Sequence, residues 1–204
     1  ILTVPEELVE LLTEVEEIEY VEKPKRYFFG AELPGENSCI YPVALGDLGL
    51  YGEGVLVAVI DSGIAYERMD FRKQDGSTRI VALWDQTLVP SGEQRVPEGF
   101  TIGVEFTEEQ INEALEVGEA VGMQNAFEIV PSRDVSGHGT AVAGIASGSR
   151  VVLTGGVNVG GTQMVGGIYR GIAPESDLLI VKLGDASESG FPKTTEIMRA
   201  VTYA

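Results

Sequence analysis

Two apolar, β-branched runs with a helix of small residues between them constrain the fold of this chain most strongly. The first run is Val55–Ile60 and the second lies within Ser176–Leu183. Continuous apolar runs without polar alternation are typical of parallel strands covered on both faces, so we expect both to be central strands. Gly139–Ala146 has a helical pattern of small residues that can approach a sheet closely. Strand, helix and strand with a right-handed crossover predict an α/β fold with a doubly wound, mostly parallel sheet.

The first 53 residues differ in character and predict a small separate module followed by a linker. Residues 1–30 are acidic and combine a capping-box pattern and helically spaced leucines with a strand-like stretch at 17–22. A helix and a strand of that size cannot bury each other, so we expect this α+β module to dock on a larger domain. Residues 31–53 contain prolines and several glycines and predict a linker.

The remaining residues, 54–204, predict one domain with inserted material at 85–133. Thr107–Gln110 is a capping box that opens a helix inside this insertion, with Ile111, Ala114 and Leu115 on one face. Residues 154–167 are rich in glycine and uncharged, which predicts a loop. A last helical stripe near the C-terminus consists of Ile197, Ala200, Val201 and Ala204.

Charge and cysteine content exclude several classes of function. The chain of 204 residues has a formal net charge of −18, so it has no basic surface for nucleic acid or for an anionic membrane. Cys39 is the single cysteine, which rules out an intramolecular disulfide and leaves the compartment open. No apolar run reaches the roughly 20 residues of a membrane span. The chain begins with Ile, and we expect that both ends are cut from a longer protein.

Asp61 and His138 are the candidate functional residues. Asp61 follows a predicted parallel strand, at the edge where open α/β sheets bind ligands. His138 is the single histidine, and it lies between two glycines at the start of a predicted helix. A carboxylate beside an imidazole can fix its tautomer and stabilise the imidazolium. Each residue also has a structural interpretation, Asp61 as a helix cap and His138 as a buried structural histidine, and position alone leaves both open.

Several segments together resemble one protein family. Val57–Gly63 (VAVIDSG) and Gly137–Gly144 (GHGTAVAG) are similar to the aspartate and histidine motifs of subtilisin-like serine peptidases. Gly171–Pro174, followed by the apolar run to Leu183, resembles the next strand entry of that family, and Asp70-Phe71 resembles the stretch after the aspartate. Residues 18–24 and 70–86 resemble the branch that includes clostridial spore-germination peptidases. The resemblance covers about residues 38–204 and implies the α/β fold of the subtilases.

The resemblance implies that the parent protein is a serine endopeptidase in which His138 is the general base and Asp61 orients it. In this family the nucleophilic serine follows a Gly-Thr pair, and no serine of this chain has that context. We therefore expect the nucleophile after residue 204 and expect this fragment alone to be inactive. Asp70 matches a calcium ligand of many subtilases. The partner loop at 155–167 offers only Asn158, Thr162 and Gln163 as side-chain oxygen ligands, whereas calcium usually takes several oxygens with carboxylates among them. The resemblance implies no required cofactor, and calcium at Asp70 is an option.

The resemblance also implies partners. The substrate would be a polypeptide, and residues 1–30 would be the tail of an inhibitory propeptide that occupies the cleft. Residues 24–38 would then lie along the groove near His138. A truncated domain exposes apolar faces, which favours self-association. The parent would be secreted or spore-associated.

Three other classes of function are weighed against the endopeptidase. A catalytically dead subtilase-like binding or regulatory module should have lost residues of the catalytic triad. Asp61 and His138 are both present, so the residue at the position of the nucleophilic serine distinguishes this alternative from the endopeptidase. A nucleotide-binding domain needs its phosphate turn after the strand, and Gly52–Gly54 precedes it. A zinc hydrolase with a His-Glu-x-x-His set needs two histidines, and the chain has one.

Overall fold

The computed structural model describes residues 4–5, 8–12, 15, 18, 49–92, 94–149, 151–153, 157–159, 162–164, 167–184 and 192–204. The predicted strand at 17–22, the cleft-binding stretch 24–38 and most of the linker lie outside these residues, apart from Ile18 and residues 49–53. The elements in chain order are α1 (Val9–Leu12), β1 (Leu56–Asp61), a 3₁₀ turn (Met69–Phe71), β2 (Ile80–Asp85), β3 (Val104–Thr107), α2 (Glu108–Val121), α3 (Met123–Ile129), α4 (His138–Ser147), β4 (Val151–Leu153), β5 (Val157–Val159), β6 (Thr162–Met164), β7 (Gly167–Tyr169), β8 (Asp177–Lys182) and α5 (Thr194–Tyr203).

A four-stranded sheet with the order β1-β8-β2-β3 organises the domain. β8 pairs in parallel with β1 and with β2, whereas β3 runs antiparallel to β2. Successive side chains of a strand point to opposite faces, so β8 presents Leu178 and Ile180 to one core and Val181 to the other. Residues of α2, α3 and α4 belong to the first core, and Ala200 of α5 belongs to the second. The prediction of an α/β fold with a mostly parallel sheet is confirmed.

The position of β1 corrects one expectation. Val55–Ile60 was expected to be a central strand covered on both faces, but β1 is an edge strand of the sheet formed by the described residues. Leu56 is 51% exposed, whereas β8 is buried along almost its whole length. An apolar run reports the preference of its side chains for burial and does not report how many neighbours the strand has.

The segment 85–133 is part of the main core. Its capping box forms as predicted, because the Thr107 N–H donates to Gln110 Oε1 at 3.0 Å and the Gln110 N–H donates to Thr107 Oγ1 at 3.4 Å. The predicted apolar face of α2 is buried. The segment also supplies strand β3, which the sequence patterns did not indicate. Its residues in the main hydrophobic core are Val104, Phe106, Ile111, Ala114, Leu115, Ala126 and Val130.

Two further expectations are corrected near the C-terminus. Residues 154–167 were expected to be a loop, but β5 and β6 pair antiparallel there, and the flanking β4 and β7 pair in the same way. The last helix forms, but its packed face contains Tyr203 with Ile197 and Ala200, whereas Val201 is 63% exposed. Tyr203 belongs to the packed face because its ring contacts Trp84, with a distance of 4.9 Å between the two ring centroids. None of the helices in the described residues is long and apolar enough to cross a bilayer.

Candidate active site

The fold brings Asp61 and His138 into direct contact. Asp61 is the last residue of β1, and its carbonyl accepts a hydrogen bond from the Leu183 N–H at 2.8 Å just after β8 ends. His138 is the first residue of α4, which packs against β1. His138 Nδ1 lies 2.7 Å from Asp61 Oδ1. Two residues that are 77 positions apart in the chain therefore form one pair at the carboxyl edge of the sheet.

Close backbone packing sets the distance between the two residues. A Cβ on Gly139 would overlap the carbonyl oxygen of Gly63 and lie 3.2 Å from the Asp61 Cβ. The first turn of α4 therefore rests directly on the loop after β1, and only glycine fits at that point. Gly63 itself has a φ of +115°, a conformation that side chains rarely adopt. Gly139 is thus required by the contact between helix and loop, and Gly63 by its backbone conformation.

The geometry of the pair determines its chemistry. The side chain of Asp61 is 11% exposed and that of His138 is 21% exposed, so both are largely shielded from water. Asp61 Oδ1 also accepts a hydrogen bond from the Ser62 N–H at 2.7 Å, which orients the carboxylate. A carboxylate that accepts from Nδ1–H leaves the lone pair of the imidazole on Nε2. That is the tautomer that a general base needs.

Asp134 is a second acidic residue at this site, and sequence reasoning missed it. Its Oδ2 accepts hydrogen bonds from the Thr140 N–H at 2.8 Å and from Thr140 Oγ1 at 2.6 Å. Its Oδ1 accepts from the Gly137 N–H at 2.9 Å and from Ser62 Oγ at 2.8 Å. One sequence signal was available, because Asp134 is the sole acidic residue in the stretch 134–149.

These hydrogen bonds decide the charge of Asp134. Burial by itself would raise the pKa of this carboxyl, but the hydrogen bonds from Thr140, Ser62 and Gly137 outweigh burial and hold the pKa below its ordinary value. The position just before α4 adds a favourable interaction with the positive end of the helix dipole. Asp134 is therefore an anion at neutral pH and faces the start of the helix that bears His138.

A buried lysine supports the same loop from β8. Lys182 pairs with Asp61 in the parallel register, and its Nζ donates a hydrogen bond to the Arg133 carbonyl at 2.6 Å. A Cβ on Gly63 would lie 3.1 Å from the Lys182 Cδ, so the lysine stem covers the loop after β1. The residue before Asp134 is thereby attached to the central strand.

Asp70, the predicted calcium ligand, lies in the 3₁₀ turn after β1. Its Oδ2 accepts a hydrogen bond from Arg68 Nε at 2.7 Å, and its carbonyl accepts from the Ser149 N–H at 2.6 Å. Oδ2 and the carbonyl oxygen of Asp70 therefore already accept hydrogen bonds, and an oxygen that faces a donor is poorly placed to bind a cation. Groups of three or more His, Cys, Asp or Glu side chains that could hold a metal do not occur among the described residues. Calcium at Asp70 stays a prediction, and no chemical step is derived through it.

An open cavity of about 510 Å³ lies beside α4. Arg68, Asp70, Asp134 and Ala141 are among its lining residues, whereas Asp61 and His138 are not. This cavity therefore adjoins Asp134 and the first turn of α4 and is not lined by the acid–imidazole pair.

Comparison with known proteins gives one consistent family. The sequence model of the peptidase S8 family, described as the subtilase family, matches residues 52–204. Subtilisin-like protease SBT3.1 of Arabidopsis thaliana is 30% identical over 159 residues, which are 75% of this chain and 19% of that protein. Subtilisin-like protease SBT3.8 of the same plant is 31% identical over 134 residues, 64% of this chain and 16% of that protein.

A solved structure agrees with these matches. The structure of the Clostridium perfringens CspB protease is 32% identical and matches with a TM-score of 0.56. The match covers 81% of this chain and 28% of that one. The chain therefore spans less than a third of the length of each relative that it matches here.

Proposed function

The chain belongs to the subtilase family, as its motifs indicated, and we propose that its parent protein is a serine endopeptidase in which Asp61 and His138 are two members of the catalytic triad. The observation that supports this assignment is the 2.7 Å contact between His138 Nδ1 and Asp61 Oδ1. The family match supports a serine peptidase, and the contact supports the choice of these two residues as its acid and base.

In the proposed mechanism His138 Nε2 removes the proton from a serine hydroxyl as that oxygen attacks the peptide carbonyl. His138 then returns the proton to the leaving amine, and the acyl enzyme is hydrolysed by a water activated in the same way. Asp61 keeps Nδ1 protonated and stabilises the imidazolium that forms. The N-terminus of α4 would disfavour this cation, so the adjacent carboxylate also offsets an unfavourable helix dipole.

The serine and the oxyanion donors are proposed to come from residues outside this sequence. None of the serines here has the Gly-Thr context of the family nucleophile. A base and its orienting acid without a nucleophile leave little catalysis, so the isolated chain of 204 residues should not hydrolyse peptides. The substrate is proposed to be a polypeptide, and residues 1–30 are proposed to be a propeptide tail that occupies the cleft.

A fluorophosphonate probe tests the proposal, because it labels a serine only when a base activates it. The natural-length protein should be labelled, and the isolated chain should not. Asp61→Asn should slow labelling by about 10⁴-fold, the cost of presenting the wrong imidazole tautomer. Asp75→Asn is a matched control, since it removes the same charge from a fully exposed loop carboxylate. A folded natural-length protein that resists labelling would refute the proposal and favour a catalytically dead regulatory module.

A further inference from the structure

We propose that Asp134 is a positioning residue that holds the N-terminus of α4 on the loop after β1 and thereby sets the orientation of the His138 imidazole. The inference rests on the proposed function for its effect on the rate. Its structural part, the orientation of one side chain, can be measured without any catalysis.

The first observation is that Asp134 connects both motifs. On one side, Ser62 Oγ, directly after Asp61, donates to Asp134 Oδ1 at 2.8 Å. On the other side, the N–H and the hydroxyl of Thr140, in the first turn of α4, donate to Asp134 Oδ2 at 2.8 and 2.6 Å. A single carboxylate thus ties the residue after the acid of the pair to the helix turn that bears the imidazole.

The two partner hydroxyls extend the connection in a closed arrangement. Ser62 Oγ accepts a hydrogen bond from the Gly139 N–H at 2.9 Å, next to His138. Thr140 Oγ1 accepts one from the Ala65 N–H at 2.9 Å, in the loop after β1. The hydroxyls of Ser62 and Thr140 each donate their proton to Asp134, so each hydroxyl oxygen is oriented to accept a hydrogen bond from the other motif. The carboxylate therefore determines the direction of both cross-links.

An ionised carboxylate is the group that satisfies this arrangement. The donors are divided between its two oxygens, with the Gly137 N–H and Ser62 on Oδ1 and Thr140 on Oδ2. An amide has one acceptor oxygen, so an Asn at this position would place an NH₂ group against donors on one side. The lost acceptor would leave those donors without a partner and would let the first turn of α4 rotate away from the loop.

The expected effect follows from the geometry of the pair. Asp61 Oδ1 and His138 Nδ1 are 2.7 Å apart, and their hydrogen bond depends on the position of the helix N-terminus. A displacement of about 1 Å of a reacting group costs about 10²-fold in rate. Asp134→Asn should therefore lower kcat by about 10- to 100-fold and change KM little, because Asp134 is proposed to act through His138 and not on the substrate.

Proton NMR of the natural-length protein gives the second measurement. An Nδ1–H held against a carboxylate has a strongly deshielded resonance, which His138→Gln and Asp61→Asn assign by removing it. Asp134→Asn should broaden or abolish this resonance, and Asp75→Asn should preserve it. Asp75 is a suitable control because it also accepts bonds from a backbone N–H and a hydroxyl, those of Ser77 at 3.0 and 2.6 Å.

A second pair of variants keeps the test decisive if Asp134→Asn does not fold. Thr140→Ser retains the hydroxyl and should keep the resonance and kcat, whereas Thr140→Val removes the hydroxyl at similar volume and should weaken both. If the resonance and kcat persist in Asp134→Asn, or in Thr140→Val where that is the folded variant, the positioning role is overturned while the peptidase assignment stands. If no variant or parent hydrolyses peptides, loss of the resonance still supports the positioning role and the proposed function alone fails.

Discussion

Replacing Gly139 with Ala tests whether the contact between α4 and the loop after β1 sets the catalytic distance. The new Cβ would overlap the Gly63 carbonyl oxygen and would lie 3.1 Å from the Gly63 nitrogen and 3.2 Å from the Asp61 Cβ. Favourable contacts between carbon atoms are at about 3.5–4.0 Å. The opposing atoms are backbone or Cβ atoms, which cannot rotate away, so the helix itself must move outward.

The size of the effect can be worked out from two opposing terms. Overpacking of a close contact costs about 1–3 kcal/mol. The Gly-to-Ala change in a helix contributes at most about 1 kcal/mol in the favourable direction. With the full helix gain, the net loss in the free energy of unfolding is about 0–2 kcal/mol, and because the opposing atoms cannot rotate away we expect the upper half of that range, about 1–2 kcal/mol. An outward shift of about 1 Å should lower kcat/KM of the natural-length protein by about 10²-fold.

Gly144→Ala is the matched control in the same helix. A Cβ at Gly144 meets no heavy atom within 4 Å, so this change should stabilise the chain by up to about 1 kcal/mol through helix propensity. Urea unfolding measures both variants, and peptide hydrolysis by the natural-length protein measures the rate. If Gly139→Ala matches the wild type in midpoint and in rate, α4 does not rest on the loop and the reasoning is wrong.

Two further predictions concern partly buried polar groups. The folded state holds the pKa of the Asp134 carboxyl below the ordinary 3.8, so the stabilisation from this carboxylate is present above about pH 4 and is lost as the pH falls through the folded pKa. The difference in unfolding free energy between wild type and Asp134→Asn should therefore shrink below about pH 4. An unchanged difference in urea titrations would contradict this prediction. Tyr203 donates its hydroxyl to Glu105 at 2.6 Å, so Tyr203→Phe should lower the unfolding free energy by about 1–2 kcal/mol, and an unaltered urea midpoint would show that this bond is not needed.

Patterns within a few residues were sufficient for much of the fold. The apolar run at Ser176–Leu183 indicated a buried strand, and the small residues at Gly139–Ala146 indicated a helix close to a sheet. The capping box at Thr107–Gln110 predicted the start of α2 to the residue. These features succeed because hydrogen-bond capping and side-chain periodicity depend on neighbours along the chain.

Features that depend on neighbours across the structure were missed or misjudged. β1 lies at the edge of the described sheet, although its composition resembles that of β8. The uncharged, glycine-rich stretch 154–167 contains paired strands because β5 and β6 find each other, and no local pattern reports that pairing. Tyr203 joins the packed face of α5 because Trp84 is within reach.

The sequence by itself indicated that Asp61 lies at a strand end and His138 at a helix start, because local residue types report both, and its resemblance to the subtilases implied that the two residues form a pair. The tertiary structure decided that Asp61 and His138 meet at 2.7 Å, and it disclosed Asp134, whose carboxylate links Ser62 and Thr140 next to this pair. The hydrogen bonds of Asp134 to Ser62 and to Thr140 span 72 and 6 positions of the chain. Only folding brings such donors to one carboxylate, so its role could be seen only in three dimensions.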